Sequence, residues 1–497
     1  MRIGKYILLG VVFAWTLWFV FAGFGNVQDP LYWLYKYEHM QGGWMACGTI
    51  LTGGVIVRLF GASLLPLRLF GWACVVTAIL LPYCRLLDKS QQREHLHWLA
   101  LTFILMGYGA FQEFSPGTLS VLLLSALWVT QSPVVLGLAV AARFPNILAL
   151  LVLIPLWKKR SLWNIPVASL TAGIVYGLAY LFVTPAVTDT AMTSHDLGAM
   201  VTKLWEKGGL LAGYVLMSVA VLAIGKTSIG SQKSPLYHRL ISVIKPLIVG
   251  LVLIYMVLYT TKPQQWYNID LTYFISALCI VTALGKSSVA RPQLLIGTMI
   301  LGVATLGTDT AWLKLFPAVL CLLPVSASYY EPAERRYLWI VLAVVSTVVM
   351  MRFATNSVGK CDLTQATIVC SVAPYQHIAM QEKENEWLQQ VKSDINGDTT
   401  VLVLGQRMHL IRAVTGCRAG VYNEFWSNIF DSVYTAKYQR VIRESHPVVV
   451  CSFTPQYKTK PAYTDKHSAL EQMLVDEGYQ VIDRSEWEYM IYKWTDD

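Results

Sequence analysis

Residues 7–24 read ILLGVVFAWTLWFVFAGF, and residues 28–39 read QDPLYWLYKYEH. The first stretch is apolar, and at about 1.5 Å per residue it extends over about 27 Å, enough to cross a bilayer core. The second stretch places Asp29, Glu38 and a row of aromatic side chains where the chain would leave the lipid. A carboxylate at a membrane boundary is costly unless it faces water, a partner or a substrate. The junction therefore predicts a membrane protein with a functional polar segment at the membrane edge.

The composition indicates a multi-pass membrane protein. The chain has 497 residues, of which 55% are hydrophobic and 14% charged, whereas soluble domains carry about 25% charged residues. Most Lys and Arg residues lie in short loops between apolar runs, where they set the topology. The net charge of +9 therefore does not indicate nucleic acid binding. The first apolar run is expected to be a retained span with the N-terminus in the cytoplasm.

Apolar runs separated by short polar breaks predict an all-α polytopic domain with about 12–13 transmembrane helices. Residues 25–64 are expected to form an outer-face loop with interfacial helices, since residues 44–61 are apolar but rich in glycine. The predicted spans are residues 7–24, 65–84, 97–112, 117–130, 132–157, 164–183, 208–225, 246–260, 269–285, 293–307, 311–326 and 337–352.

Residues 132–157 do not fit a single span, because the flanking charges place both of their ends in the cytoplasm. Arg143, Phe144, Pro145 and Asn146 lie in the middle of this stretch. Proline removes a backbone donor and disfavours helix in the residue before it, so a broken pair of half-helices is expected. A miscounted span is the alternative.

The composition changes after Arg352, where charge increases and short alternating apolar stretches appear. We predict a transmembrane domain over residues 1–352 and a soluble α/β domain over residues 353–497, which the topology places outside the cytoplasm. A disulfide between Cys361 and Cys370 is compatible with that compartment. The predicted strands are residues 399–405 and 447–451, and the predicted helices are residues 382–395 and 468–478.

Asp29 is the first candidate for chemistry. At the outer membrane face its carboxylate could act as a general base on an acceptor hydroxyl or amine. It could also begin a helix, because aspartate is a favoured N-cap and Pro30 a favoured first helical residue, and the two roles are compatible. Glu38 could orient a substrate or be a solvated residue, and the neighbouring aromatics most simply form an interfacial belt.

Four more charged residues are candidate substrate contacts. Glu113 lies in a turn on the same side as Asp29, where it could bind a metal or a sugar hydroxyl, or be a plain turn charge. Arg143 lies within an apolar run and needs a partner, which could be a phosphate or a buried carboxylate, unless the side chain snorkels. Asp309 and Lys314 lie near the outer end of another span, where they could form a second charged site or a loop cap.

Motifs for nucleotide or hydrolase chemistry are absent from the sequence. It contains no P-loop, G-x-S-x-G or H-E-x-x-H pattern, so energy from cytoplasmic ATP is unsupported. An activated substrate carried in the membrane fits better. No cofactor is predicted and no metal-ligand spacing is recognisable, although Glu113 leaves room for a divalent metal.

Several features follow one another in a defined order along residues 1–160. A first span is followed by Asp29, then by an aromatic helix containing Glu38, then by a second outer helix ending in LFG at residues 59–61. The next span opens with LRLF at residues 67–70, and GLAVAARFP at residues 137–145 comes later. This layout resembles the GT-C superfamily of integral-membrane glycosyltransferases, in the manner of protein mannosyltransferases and aminoarabinose transferases.

The resemblance implies an inverting glycosyltransferase at the outer face of a bacterial inner membrane. Its donor would be a sugar linked to polyprenyl phosphate, and its acceptor a lipid, glycan or protein. Asp29 would be the catalytic base, and a basic residue such as Arg143 would neutralise the leaving phosphate. Many members carry a second acid where Pro30 stands, and some carry an acid where Ser115 stands, so metal use stays open.

Two other classes of function remain open from the sequence. A secondary transporter or flippase of a lipid-linked or polar substrate would need charges along a path and usually an inverted repeat. Only Arg143 lies deep in a predicted span, and no repeat is visible. A non-catalytic envelope assembly protein would use the C-terminal domain to bind partners, and Asp29 would then be only a helix cap.

Overall fold

The fold combines a helical part with an α/β part. Among the described residues, the chain is helical up to Ser326 and mixes strands with helices from Ile368 onward, which confirms the predicted fold class. The computed structural model describes residues 2–22, 29–106, 113–157, 161–184, 290–305, 311–326, 340, 366–395, 400–405, 408–419, 432–452, 472–485 and 489–495.

The helices of the first part follow the apolar runs of the sequence. Short 3₁₀ segments at Trp44–Ala46, Phe144–Ala149 and Val303–Thr305 join some of them. The α-helices are α1 (Arg2–Phe21), α2 (Asp29–His39), α3 (Cys47–Phe60), α4 (Leu64–Leu86), α5 (Lys89–Glu94), α6 (Leu96–Met106), α7 (Pro116–Thr130), α8 (Pro133–Ala142), α9 (Leu150–Trp157), α10 (Ser161–Phe182), α11 (Ala290–Gly302) and α12 (Ala311–Ser326).

Two of the described helices, Leu64–Leu86 and Leu162–Phe182, are long and apolar enough to cross a membrane by length and composition. The second of them exposes Leu162, Leu170 and Leu181, and an apolar helix face of this kind is typical of a surface that contacts lipid. The predicted spans at residues 208–225, 246–260 and 269–285, and 337–352 apart from residue 340, lie outside the described residues.

The predicted break within residues 132–157 is confirmed. α8 ends at Ala142, Arg143 adopts extended backbone with φ −159° and ψ 114°, and a 3₁₀ segment leads into α9. The carbonyl of Ala142 accepts a bond of 2.8 Å from the Thr49 hydroxyl, and that of Ala139 accepts one of 2.8 Å from Asn146 Nδ2. The Thr49 side chain thus satisfies a carbonyl at the break, as an apolar environment requires. The Ala139 carbonyl also accepts the Arg143 amide at 3.0 Å, so Asn146 gives it a second donor.

α3 lies on the glycine-rich helix that the sequence predicts at residues 44–61. It ends where Gly61 adopts a left-handed φ of +88° and donates its N–H to the Val57 carbonyl at 2.8 Å. A residue with a Cβ is strained in this conformation, so glycine is favoured there. α4 begins three residues later at Leu64, as expected for the next span.

Gly48 lets α3 lie directly against the end of α8. A Cβ at this position would lie 2.9 Å from both the carbonyl carbon and the oxygen of Ala141. Gly48→Ala is therefore expected to lower the free energy of unfolding by about 1–3 kcal/mol, measured by thermal unfolding in detergent. Gly173→Ala is the matched control, because a Cβ there meets no described atom within 4 Å and alanine favours helix. Equal unfolding temperatures for the two variants would contradict the close approach.

The α/β part is built on a mixed sheet. Its described strands follow the order β4-β3-β5-β7-β6, in which β3 runs parallel to β4 and β5, and β7 antiparallel to β5 and β6. β1 and β2 form a separate antiparallel pair. The elements are β1 (Ile368–Val369), β2 (Ala379–Met380), α13 (Glu382–Asp394), β3 (Thr400–Gly405), α14 (Met408–Thr415), β4 (Arg418–Ala419), α15 (Ser432–Ser445), β5 (Val448–Ser452), β6 (Tyr479–Ser485) and β7 (Tyr489–Trp494).

Most of the local predictions for this part hold. β3 and β5 lie on the two predicted strands, and α13 on the predicted helix at residues 382–395. Of the helix predicted at residues 468–478, residues 472–476 are helical and the part before residue 472 lies outside the described residues. Cys370 is a free thiol buried in the core, and Cys361, its possible disulfide partner, lies outside the described residues.

One apolar core joins the α/β part to α2 and α4. Trp387 of α13 and Ile411 of α14 belong to the same buried cluster as Leu31 of α2 and Leu64 at the start of α4. The Leu64 amide also donates to the Pro374 carbonyl at 3.0 Å. The α/β part therefore rests on α2 and on the beginning of α4.

Glu384 gives the α/β part a pH-dependent stability. It forms a capping box at the start of α13, where its Oε2 accepts from the Gln381 amide at 3.0 Å, and burial raises the pKa of its carboxyl. A raised pKa means that the stabilisation is present at low pH and lost as the carboxyl ionises.

Glu384→Gln should therefore raise the unfolding temperature at pH 7, by about 1 °C, because it keeps the acceptor and removes the buried charge. The difference should shrink toward pH 4, which thermal unfolding across this range would show. A difference that grows on acidification would contradict the assignment.

Candidate functional site

Asp29 stands at the first residue of α2, shortly after α1 ends at Phe21. The helix it opens is held along its length: Leu31 and Leu34 are buried, and Tyr37 is fully buried and donates its hydroxyl to the Phe114 carbonyl at 3.0 Å. α2 begins at Asp29, with Pro30 as its second residue, so the role of Asp29 as a helix cap stays a prediction. α2 thus fixes the backbone position of Asp29 at the edge of the helical part.

Both sides of the segment that carries Asp29 contact the α/β part. Before it, Ala22 forms a parallel bridge with Ala379 of β2. After it, the Tyr32 ring lies edge-on to His409 with centroids 5.3 Å apart. The connection between α1 and α2 is therefore bounded on both sides by contacts with the C-terminal part of the chain.

The aromatic row of α2 makes contacts inside the protein that the predicted membrane belt does not include. Tyr37 is buried against Phe114, and the Trp33 ring stacks on the Tyr37 ring with centroids 6.0 Å apart. The Arg412 guanidinium of α14 lies over the Tyr35 ring, with its Cζ 4.2 Å from the ring centroid. The aromatic side chains of α2 have the composition of a membrane belt, but these rings contact other residues of the protein.

Lys36 brings a positive charge onto the same helix. It is only 6% exposed, and its Nζ lies 4.4 Å from the Tyr32 ring centroid, a distance at which the ring face attracts a cation. Glu38, two residues further on, is exposed. It lies nine residues from Asp29, about 13 Å along the helix, so α2 does not bring these two carboxylates together.

Glu113 forms an ion pair at the opening of α4. Its Oε1 accepts from Arg68 Nε at 3.2 Å, and the Arg68 side chain is 3% exposed. Tyr375 of the α/β part lies close enough for both charges to act on it: burial raises the pKa of its phenol, Arg68 opposes that change and Glu113 adds to it. The predicted turn acid is therefore bound to the arginine of the LRLF sequence and lies beside the α/β part.

Arg143 lies in the break after α8. It is 6% exposed, and its Nη1 donates to the Ala304 carbonyl at 2.7 Å. Ala304 lies in the 3₁₀ segment Val303–Thr305 directly after α11, and a cation is favoured near the C-terminal end of a helix by its orphan carbonyls and its dipole. The ring of Phe144 next to it meets Trp44 edge-on with centroids 4.6 Å apart.

The other two predicted substrate contacts are less fully defined. Asp309 lies outside the described residues, five positions after Ala304 in the chain. Lys314 lies in α12 (Ala311–Ser326). The expectation that Asp29, Glu113 and Asp309 open into one cavity therefore falls partly outside the described residues. Within the described part of the chain, no group of three or more His, Cys, Asp or Glu side chains could hold a metal ion.

Sequence reasoning missed three residues of this region: Tyr375, His409 and Arg412. All three belong to the C-terminal part, and nothing in their local sequence connects them with α2 or α4. Asn146 was noticed only as a neighbour of Pro145, yet it is fully buried and its Nδ2 also donates to Ser120 of α7 at 3.0 Å. A buried amide in an apolar helical part is the signal that could have identified it.

Comparisons with known proteins give matches among solved structures alone. No protein-family model matches the chain, and no curated protein sequence matches it. The chain is similar to the apo structure of ArnT from Cupriavidus metallidurans, with 12% identity and a TM-score of 0.37, over 99% of this chain and 98% of that chain. It is also similar to ArnT from the same organism bound to undecaprenyl phosphate, with 12% identity and a TM-score of 0.36, over 98% of each chain.

ArnT is a GT-C glycosyltransferase. These two structures assign no activity, substrate or site residue to this chain.

Proposed function

We propose that this protein is a membrane glycosyltransferase that moves a sugar from a polyprenyl-phosphate donor to a lipid, glycan or protein acceptor at the outer face. The observation that carries the proposal is the placement of Asp29 at the head of α2. This helix is held by the buried residues Leu31, Leu34 and Tyr37. A catalytic side chain needs such a fixed helix, because its rate contribution depends on its position.

Asp29 acts as the general base in this proposal. Its carboxylate takes the proton of an acceptor hydroxyl or amine as the acceptor oxygen or nitrogen attacks the anomeric carbon. The bond between that carbon and the phosphate oxygen breaks, polyprenyl phosphate leaves with the electron pair, and the anomeric configuration is inverted. No nucleotide is needed, since the donor already carries its leaving group.

Arg143 is proposed to stabilise the leaving phosphate. A guanidinium suits a phosphate because its planar fork can donate two parallel bonds. Arg143 is buried in an apolar part of the chain, where an electrostatic contact is stronger than in water. Its contact with the Ala304 carbonyl fixes one end of the guanidinium at the break between the half-helices.

The other predicted contacts have different roles in the proposal. Glu38, Asp309 and Lys314 stay proposed contacts to the donor or the acceptor. The ion pair with Arg68 favours a structural role for Glu113 over a metal site. Outward exposure of the site and a cytoplasmic N-terminus are part of the proposal.

The test is sugar transfer by the purified full-length protein in detergent or vesicles, supplied with polyprenyl-phosphate sugars and candidate acceptors. Wild-type protein is compared with Asp29→Asn. Transfer by the wild-type protein and its loss in the variant would support the proposal. Failure of the wild-type protein to bind or use any polyprenyl-phosphate sugar would overturn it and favour the transporter or assembly alternatives.

A further inference from the structure

We propose that the α/β part of the chain positions the catalytic helix α2, with Arg412 of α14 as a positioning residue for Asp29. The inference rests on the proposed function of Asp29 and goes beyond it, because it gives the C-terminal part a role in the chemical step. It follows from contacts on both sides of the segment that carries Asp29.

The first set of contacts lies between α14 and α2. The Arg412 guanidinium covers the Tyr35 ring at 4.2 Å, and His409, which is 4% exposed, meets the Tyr32 ring at 5.3 Å. The face of an aromatic ring attracts a cation, and the attraction is stronger when the pair is desolvated. Because Tyr32 and Tyr35 lie on successive turns, the two contacts fix the rotation of α2 about its axis.

The second contact lies before Asp29. Ala22, next to the end of α1, bridges to Ala379 of β2. Seven positions separate Ala22 from Asp29 in the chain, and α14 contacts begin three positions after Asp29. The same structural part therefore holds the chain on either side of the proposed base.

The helix needs this support because it is short. α2 has 11 residues, and isolated helices of fewer than about 12–15 residues are marginal in water. Its order must come from packing, and the buried cluster supplies it through Leu31, Leu34 and Ile411. Loosening α14 should therefore increase the motion of α2, and a displacement of about 1 Å at a catalytic group can cost about 10²-fold in rate.

The experiment uses the full-length protein with two pairs of variants. Tyr35→Ala removes the ring under Arg412, whereas Tyr35→Phe keeps it. Arg412→Ala removes the cation, whereas Arg443→Ala removes an arginine of the same α/β part that is 61% exposed and pairs with Glu477, away from α2. Hydrogen exchange of the amides in residues 31–39 is measured for each, together with kcat and KM for the polyprenyl-phosphate sugar.

Arg412→Ala and Tyr35→Ala are expected to speed exchange in α2 and to lower kcat by about 10-fold at an unchanged donor KM. Tyr35→Phe and Arg443→Ala should behave like wild type. Unchanged exchange in α2 would overturn the proposed contact, and faster exchange with unchanged kcat would overturn the positioning role. Hydrogen exchange is measured without any sugar transfer. If the wild-type protein transfers no sugar, the proposed function of Asp29 is contradicted, whereas the exchange data still test whether α14 holds α2 in place.

Discussion

Asp29→Asn is expected to slow sugar transfer by about 10²–10⁴-fold, the range that general acid–base groups contribute. Asparagine has nearly the same size as aspartate and begins helices equally well, so α2 should form as before. It cannot accept a proton at neutral pH, so the attack of the acceptor loses its base. The measurement is kcat at saturating donor, with the unfolding temperature recorded for the same preparation.

Asp88→Asn is the matched control for this substitution. Asp88 is also an aspartate at a helix start, where its side chain accepts from the amides of Ser90 and Gln91, and it lies at the N-terminus of α5, outside the proposed machinery. This variant should transfer sugar at the wild-type rate. If folded Asp29→Asn is as fast as Asp88→Asn, Asp29 is a helix cap and the proposed base is wrong.

Arg143→Met should have the second largest effect, lowering kcat/KM by about 10²–10³-fold, as the removal of one donor to a developing negative charge does. Methionine replaces the unbranched apolar stem of the arginine but lacks the charged guanidinium that would face the leaving phosphate. The Ala304 carbonyl also loses its donor, which should cost about 1–3 kcal/mol of stability. Arg143→Lys keeps the charge without the planar fork, and its rate should lie between those of wild type and Arg143→Met.

Thr49→Val separates chemistry from stability at the same break. It removes the bond of 2.8 Å from the Thr49 hydroxyl to the Ala142 carbonyl and should cost about 1 kcal/mol of stability. Transfer measured well below the unfolding temperature should stay near the wild-type rate. If Arg143→Met retains as much transfer as Thr49→Val, then Arg143 only caps the neighbouring helix end and does not act on phosphate.

The features that the sequence predicts well have their signal in adjacent residues. The apolar run of α4 and the valine-rich strands β3 and β5 identify themselves by composition and length. The broken helix was predictable because Pro145 forbids a normal helix at the residue before it. The pair formed by Arg68 and Glu113 could also have been predicted, since the two opposite charges were expected on the same side of the membrane.

Contacts between the two ends of the chain could not be predicted in this way. Tyr35 and Arg412 each fit several environments, and no local pattern links them. The aromatic row of α2 had the composition of a membrane belt, and only the burial of Tyr37 against Phe114 shows its use inside the protein. The contacts of these side chains depend on their positions in the fold, which no short stretch of sequence encodes.

The shared core has a consequence for folding. Trp387 and Ile411 lie in one buried cluster with Leu31 and Leu64, so a fragment of residues 353–497 would leave part of that cluster in water, at about 25 cal/mol per Å² of apolar surface. The two parts are therefore expected to unfold together rather than separately at Arg352. During synthesis α2 and α4 are made first, and the apolar side chains that they contribute to this cluster are expected to stay partly uncovered until α13 and α14 are made.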